Sequence, residues 1–121
     1  MAVIIPTFER EGDRTVIVTW GPMATGDTGA PIGRDLLDYA DRSIQATGTF
    51  GGATLSVQGS NDGTNYAALT DGNGTAIALA AAGIEQIYEV TRMQRPAVTG
   101  GAGVAITATL FARRSVSGRM V

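Results

Sequence analysis

Across residues 42–70, RSIQATGTFGGATLSVQGSNDGTNYAALT, apolar and polar positions alternate with a period of two. That period belongs to strands with one face on a core and the other in water. Ile44, Ala46, Gly48 and Phe50 fall on one side, with Ser43, Gln45, Thr47 and Thr49 on the other. The alternation resumes after Gly51 and Gly52, where Ala53, Leu55 and Val57 oppose Thr54, Ser56 and Gln58. Ser60-Asn61-Asp62-Gly63 then supplies residues that tolerate positive φ before the chain returns through Tyr66 and Ala68. Three consecutive strands joined by two tight turns are expected here, an antiparallel meander with one solvated face.

The same reading extends to both flanks. Residues 15–20 set Val16, Val18 and Trp20 against Thr15, Ile17 and Thr19. After a second turn signal, Asp71-Gly72-Asn73-Gly74, residues 75–79 read as a short strand and 80–83 as a small-residue bend. In 84–90 the pattern is mixed, Ile84, Gln86, Tyr88 and Val90 against Glu85, Ile87 and Glu89, which places that strand near an edge or an interface. Pro96 confines the strand over 94–99 to an edge or to its own first positions. Gly100-Gly101-Ala102-Gly103 turns the chain into the last strand, where Val104, Ile106, Ala108, Leu110 and Ala112 oppose Thr107, Thr109 and Arg113. About eight short strands with a turn signal every eight to twelve residues predict an all-β chain, an antiparallel β-sandwich or jelly roll.

Three stretches lack this periodicity. Residues 1–14 begin apolar and end charged, and they are expected to be an N-terminal arm before a β-sandwich domain over 15–114, with 115–121 as a C-terminal tail. Residues 21–32, GPMATGDTGAPI, are long for a passive connection and are expected to be mobile or ordered by a partner. Residues 34–41 suit a short helical turn or an extended segment equally.

Composition removes most chemistry. A chain of 121 residues suits one domain with one core. It has no cysteine, histidine or lysine, so disulfides, thiol nucleophiles, Schiff bases and Ser-His or Ser-Lys dyads are excluded. The formal charge is −2, with local positive charge only where Arg113, Arg114 and Arg119 gather, so a nucleic-acid partner is not expected. No apolar run approaches the ~18 residues of a membrane span, and residues 1–6 lack the basic start and long apolar stretch of a signal peptide. Neither a membrane partner nor export is expected; the chain should remain in the cytosol until it joins an assembly.

The motif-like segments read as turns. Asn61, Asp62 and Gly63, followed by Tyr66, resemble a segment of carbohydrate-binding sandwiches, but the same residues build a hairpin through Asx turns and a positive φ. Gly72 and Gly74 punctuate a stretch that superficially resembles a calcium loop, yet its twelfth position is Ala82 rather than a bidentate Glu. Gly100 and Gly101 are not followed by the Gly-Lys-Ser/Thr of a phosphate loop. Glu85 and Glu89 on one strand face stand ~13 Å apart by strand rise, too far for a glycosidase pair. No cofactor, metal or catalytic residue is expected.

The string GTFGGATLSVQGSNDGTNY, the segment QRPAVTGG and the closing ITATL strand together resemble small virion proteins of tailed bacteriophages, in particular head decoration (cement) proteins. The likeness runs from about residue 41 to 114. It implies a non-enzymatic protein, made in the host cytoplasm, that binds the outside of the assembled capsid and stabilises it, with the major capsid protein as partner and a trimer as its common form. A carbohydrate- or receptor-binding module on the particle and a head-tail structural protein are the alternatives. Contacts with the capsid or between subunits are expected from Val3, Ile4, Ile5, Phe8, Trp20, Met23, Leu36, Leu37 and Tyr39, apolar residues in weakly patterned segments or at their borders. Ile17, Ile87 and Phe111 join them because they occupy nominally polar strand faces.

Overall fold

A computed structural model describes residues 1–33, 36 and 38–114. Leu37, Arg119 and the tail expected over 115–121 lie outside the described residues. The described chain forms β1 (Val3–Ile4), β2 (Thr7–Glu11), β3 (Thr15–Met23), β4 (Thr28–Gly29), β5 (Asp41–Thr49), β6 (Thr54–Ser60), β7 (Ala67–Ala68), β8 (Ala78–Leu79), β9 (Gly83–Ile87), β10 (Met93–Thr99) and β11 (Ala105–Arg113). Two sheets pack face to face. One runs β1-β4-β10-β6-β7, with β8 also paired to β6; the other runs β2-β3-β11-β5-β9. All ladders are antiparallel except the short β1–β4 pair. The protein is an all-β sandwich with a jelly-roll arrangement, and the described residues add three strands to the expected eight, β1 and β2 within the N-terminal arm and β4 within residues 21–32.

The alternation seen in the sequence decides what lies between the sheets. Val16, Val18 and Trp20 of β3, Ile44 and Ala46 of β5, Leu55 and Val57 of β6 and Ile106, Ala108 and Leu110 of β11 are all buried in one core. The strands are those expected, but the meander is not. β5 pairs with β11 and β9, whereas β6 lies in the opposite sheet. The turn at Gly51 and Gly52 therefore carries the chain from one sheet to the other instead of closing a hairpin. The turn after β10 makes the reverse crossing beside it, and the two join where the Ala102 amide donates to the Gly51 carbonyl at 3.0 Å. Gly51 has φ +56°, and a Cβ there would stand 2.1 Å from the Ala102 carbonyl oxygen. Only glycine fits that approach.

Pro96 departs from expectation as well. It sits within β10, paired with Val57 of β6, and β10 has a neighbour on each side. The second neighbour, β4, is interrupted opposite the proline. Gln94 and Ile32 exchange backbone hydrogen bonds at 2.9 Å, and Ala97 pairs with Thr28, so the register between the two segments shifts by one residue across the proline. The Ala30 carbonyl, in the stretch between these two pairings, accepts the Trp20 indole N–H at 2.9 Å. An interior proline is tolerated because the ladder on that side of β10 is already interrupted where it stands, with the Ala30 carbonyl satisfied by a side chain.

Residues 21–32 are ordered by the chain itself. β3 continues to Met23 and β4 lies along β10. The buried Asp27 carboxylate accepts the Ala24 amide at 2.8 Å and the Ala2 amide at 2.9 Å. Residues 1–11 in turn lie against the body as edge strands of both sheets, β1 on β4 and β2 on β3.

Candidate functional site

Much of the expected contact surface is interior. Trp20, Met23 and Leu36 are fully buried, and Tyr39 and Ile87 nearly so. These five are corrections to the list of interface candidates, and the device that encloses Leu36 and Tyr39 is Arg42. Its side chain points inward from β5 and donates to the Leu36 carbonyl at 2.6 Å, the Tyr39 carbonyl at 2.8 Å and Gln94 Oε1 at 3.0 Å. Arg42 thus ties the loop before β5 and the opposite sheet to one guanidinium, whose pKa burial lowers. Tyr39 also accepts a hydrogen bond from Arg10 Nη1 at 3.3 Å, and its ring lies under the Arg10 and Arg114 guanidinium groups at 6.0 and 5.2 Å. Ile87 is inward because β9 turns Glu85 and Ile87 toward the core, which leaves Ile84, Tyr88 and Val90 outside. The mixed pattern had two apolar faces, and the one with fewer apolar residues is buried.

Val3, Ile5 and Phe8 remain exposed at 62, 76 and 49%. Ile4, between them, packs partly against the core. Phe8 borders a groove of about 350 Å³ lined also by Pro31, Ile32, Gly33, Leu36, Arg92 and Met93. The N-terminal segment is therefore a fixed ridge with solvent-exposed apolar side chains, Phe8 among them at the open edge of the core-side face opposite Val18, and it is held by Asp27 beneath it. The Ala24 amide holds the Asp27 carboxyl below its ordinary value against the opposing effect of burial, with the Ala2 amide and the terminal ammonium adding to it. Ile17 and Phe111 face each other across the β3–β11 pair on the outer side of the five-stranded sheet. Ile17 is half-buried, whereas Phe111 is exposed.

The turn after β6 closes on itself. Asp62 Oδ1 accepts from the Thr64 and Asn65 amides at 2.8 Å and from the Ser60 hydroxyl at 2.9 Å, while Oδ2 accepts the Asn65 side-chain amide at 2.8 Å. These donors, led by the Asn65 amide, hold the Asp62 carboxyl far below its usual range. Asn61 accepts the Arg92 amide at 3.1 Å, and Gly63 has φ +81°. Tyr66 carries the Arg95 guanidinium 3.8 Å above its ring centroid, with Arg95 Nε donating to Gln58 at 2.9 Å. One face of Tyr66 is thereby covered. In the next turn Asp71 accepts the Asn73 and Thr75 amides and has a lowered pKa, while Glu85 has a raised one because the neighbouring Asp71 carboxylate favours its protonated form. Among the described residues no set of three or more carboxylates forms a metal-ligand cluster.

No protein-family model and no curated protein sequence matches this chain. Solved structures with a similar overall form include a cupin domain from Bordetella pertussis at 11% identity, covering 95% of this chain and 96% of that one with a TM-score of 0.43. A Schizosaccharomyces pombe cupin domain is 8% identical and matches 93% of this chain and 65% of its own length, TM-score 0.46. Peruvianin-I, a cysteine peptidase from Thevetia peruviana latex, is 15% identical, with 96% and 65% covered and a TM-score of 0.48. These likenesses are of overall form and carry no activity across; the sandwich itself stands on the strand pairing above.

Proposed function

We propose that this chain is a non-enzymatic structural protein that binds the outer surface of a tailed-phage capsid through its N-terminal ridge. The observation that carries the reading is the solvent exposure of Val3, Ile5 and Phe8 on a segment fixed by its own hydrogen bonds. Apolar side chains held in place lose little entropy when a partner covers them, so a small contact repeated over many lattice copies suffices. A protein that binds only the expanded shell stabilises that state by mass action. The sequence resemblance to head decoration proteins names the shell. In this reading the major capsid protein is the partner and copies gather as trimers on the lattice.

The test uses the full chain mixed with expanded, undecorated heads. Deleting residues 1–13 would bare the edges of β3 and β4, so substitutions are the cleaner probe. Val3→Ser, Ile5→Ser and Phe8→Ser, combined, should leave the fold intact by circular dichroism and abolish sedimentation with heads. Decoration by the triple variant at unchanged affinity would place attachment elsewhere and defeat the proposal.

A further inference from the structure

The outer face of the five-stranded sheet carries a second surface, at a distance in kind from the N-terminal ridge. Register places Glu9, Ile17, Phe111, Ser43 and Gln86 in one cross-strand row. In the adjoining row Arg113 lies opposite Asp41, ion-paired at 3.5 Å. Between these rows is a cleft of about 220 Å³ lined by Asp41, Ser43, Gln86, Phe111 and Arg113, and by Arg42, whose guanidinium is spent on the interior carbonyls of Leu36 and Tyr39 and on Gln94. Tyr88, one position beyond β9, continues the outward alternation of Ile84 and Gln86 and falls opposite Asp41 when the Arg42–Ile87 pairing is extended by one residue. Phe111 and Tyr88 are exposed at 39 and 58%. From strand spacing and rise their positions stand ~12 Å apart on one sheet face, with the polar cleft between them.

We propose that this face binds a neutral glycan, with Phe111 and Tyr88 as stacking platforms and Gln86, Ser43, Asp41 and Arg113 as hydrogen-bonding partners. A sugar ring has an apolar C–H face and a rim of hydroxyls that both donate and accept. The cleft supplies the complement: aromatic rings for the face, a hydroxyl and an amide that donate and accept, a carboxylate that accepts and a guanidinium that donates. Its volume is below the ~300 Å³ at which drug-sized pockets begin, which suits one ring at a time along an open chain. Arg113 is opposed by Asp41, and Glu9 and Glu11 stand at the far edge of the same sheet. That balance does not attract phosphate or sulfate. A protein partner is disfavoured because the apolar part of this face is a few separate side chains, whereas an interface core is a contiguous desolvated patch. The inference does not rest on capsid binding.

The experiment is an NMR titration of the full chain with maltohexaose, cellohexaose and chitotetraose. Saturable shifts at Ser43, Gln86, Phe111 and Arg113 with at least one of the three are expected at millimolar concentration. Phe111→Ala should weaken that binding about tenfold, the worth of one stacking contact. Because Phe111 covers Ile17, Gln86→Ala and Tyr88→Ala provide exposed variants that retain the fold, each expected to weaken binding several-fold. Tyr66→Ala, on the opposite sheet, should leave it unchanged. Absence of saturable shifts with all three sugars, or binding indifferent to Phe111→Ala and Tyr88→Ala, would overturn the proposal, as would loss of head attachment in Phe111→Ala with no sugar bound.

Discussion

At the scale of single residues, backbone approach and buried donors set the energetics more than side-chain volume does. Gly51 and Gly63 both require positive φ, but a Cβ at Gly51 meets a backbone carbonyl at 2.1 Å, whereas at Gly63 it meets the movable end of Arg92 at 3.2 Å. Gly51→Ala should therefore cost more than about 2 kcal/mol and Gly63→Ala only about 1 kcal/mol, an order that urea titration of the two variants can check. Arg42→Met retains the apolar stem but takes the guanidinium donor from the Tyr39 carbonyl and Gln94 Oε1 and leaves the Leu36 carbonyl only the Tyr39 amide. A loss of about 3 kcal/mol is expected, with the same measurement as judge. The Asx chemistry around Asp62 was legible in the sequence, since Ser, Asn, Asp and Gly each have a local backbone reason to be there. The role of Arg42 was not, because nothing in its own segment says that two carbonyls six and three residues upstream will face it in the interior.

At the scale of elements, period-two alternation located β3, β5, β6 and β11 and assigned their inner faces correctly, because each buries one clean apolar side. Pairing was beyond it. A Gly-Gly turn satisfies a hairpin and a crossing between sheets equally well, and the choice is made by the Ala102–Gly51 contact some fifty residues away in sequence. The same lack of local information hid the cover for Trp20, which comes from Ala30 and the neighbouring sheet, and the orientation of β9. Carboxylates that fasten turns and edges make the fold acid-sensitive. Asp62 and Asp27 are held below the ordinary value of 3.8. Glu89 lies below its own 4.5, where the Thr70 hydroxyl and amide outweigh the upward push of burial. Each is thus more acidic folded than unfolded, so its stabilisation is complete above those ordinary values and is lost as pH falls through the lowered ones. Melting temperature should drop between about pH 5 and pH 2. Asp27→Asn should show a shallower drop, and an unchanged slope in that variant would remove Asp27 from the account. Glu85 has the opposite sign. Its raised pKa disfavours the charged form beside Asp71, so Glu85→Gln should raise the melting temperature at neutral pH and lose that advantage in acid.

At the scale of the whole molecule, the sandwich separates a rigid centre from two edges assembled by one short segment. β11 and β3, β11 and β5, and β10 and β6 share long ladders and the core, while β1 contributes two residues to one sheet and β2 five exposed residues to the other. Opening of residues 1–11 would uncover little core and break few ladder bonds, whereas opening of β11 would dismantle one sheet and half the interior. Stability is therefore graded across the molecule. Amide hydrogen exchange should be slowest in β3, β5, β6, β10 and β11, at a rate set by global unfolding, and faster by orders of magnitude in residues 1–11. Central pairings between strands remote in sequence also predict refolding in the millisecond-to-second range. On binding to heads the ridge should gain protection while the outer face around Phe111 keeps its free-state exchange, since the two surfaces are carried by different parts of the fold. Protection that appears around Phe111 and spares residues 1–11 would reverse that assignment, making the sheet face the attachment surface and the ridge a mere edge cover.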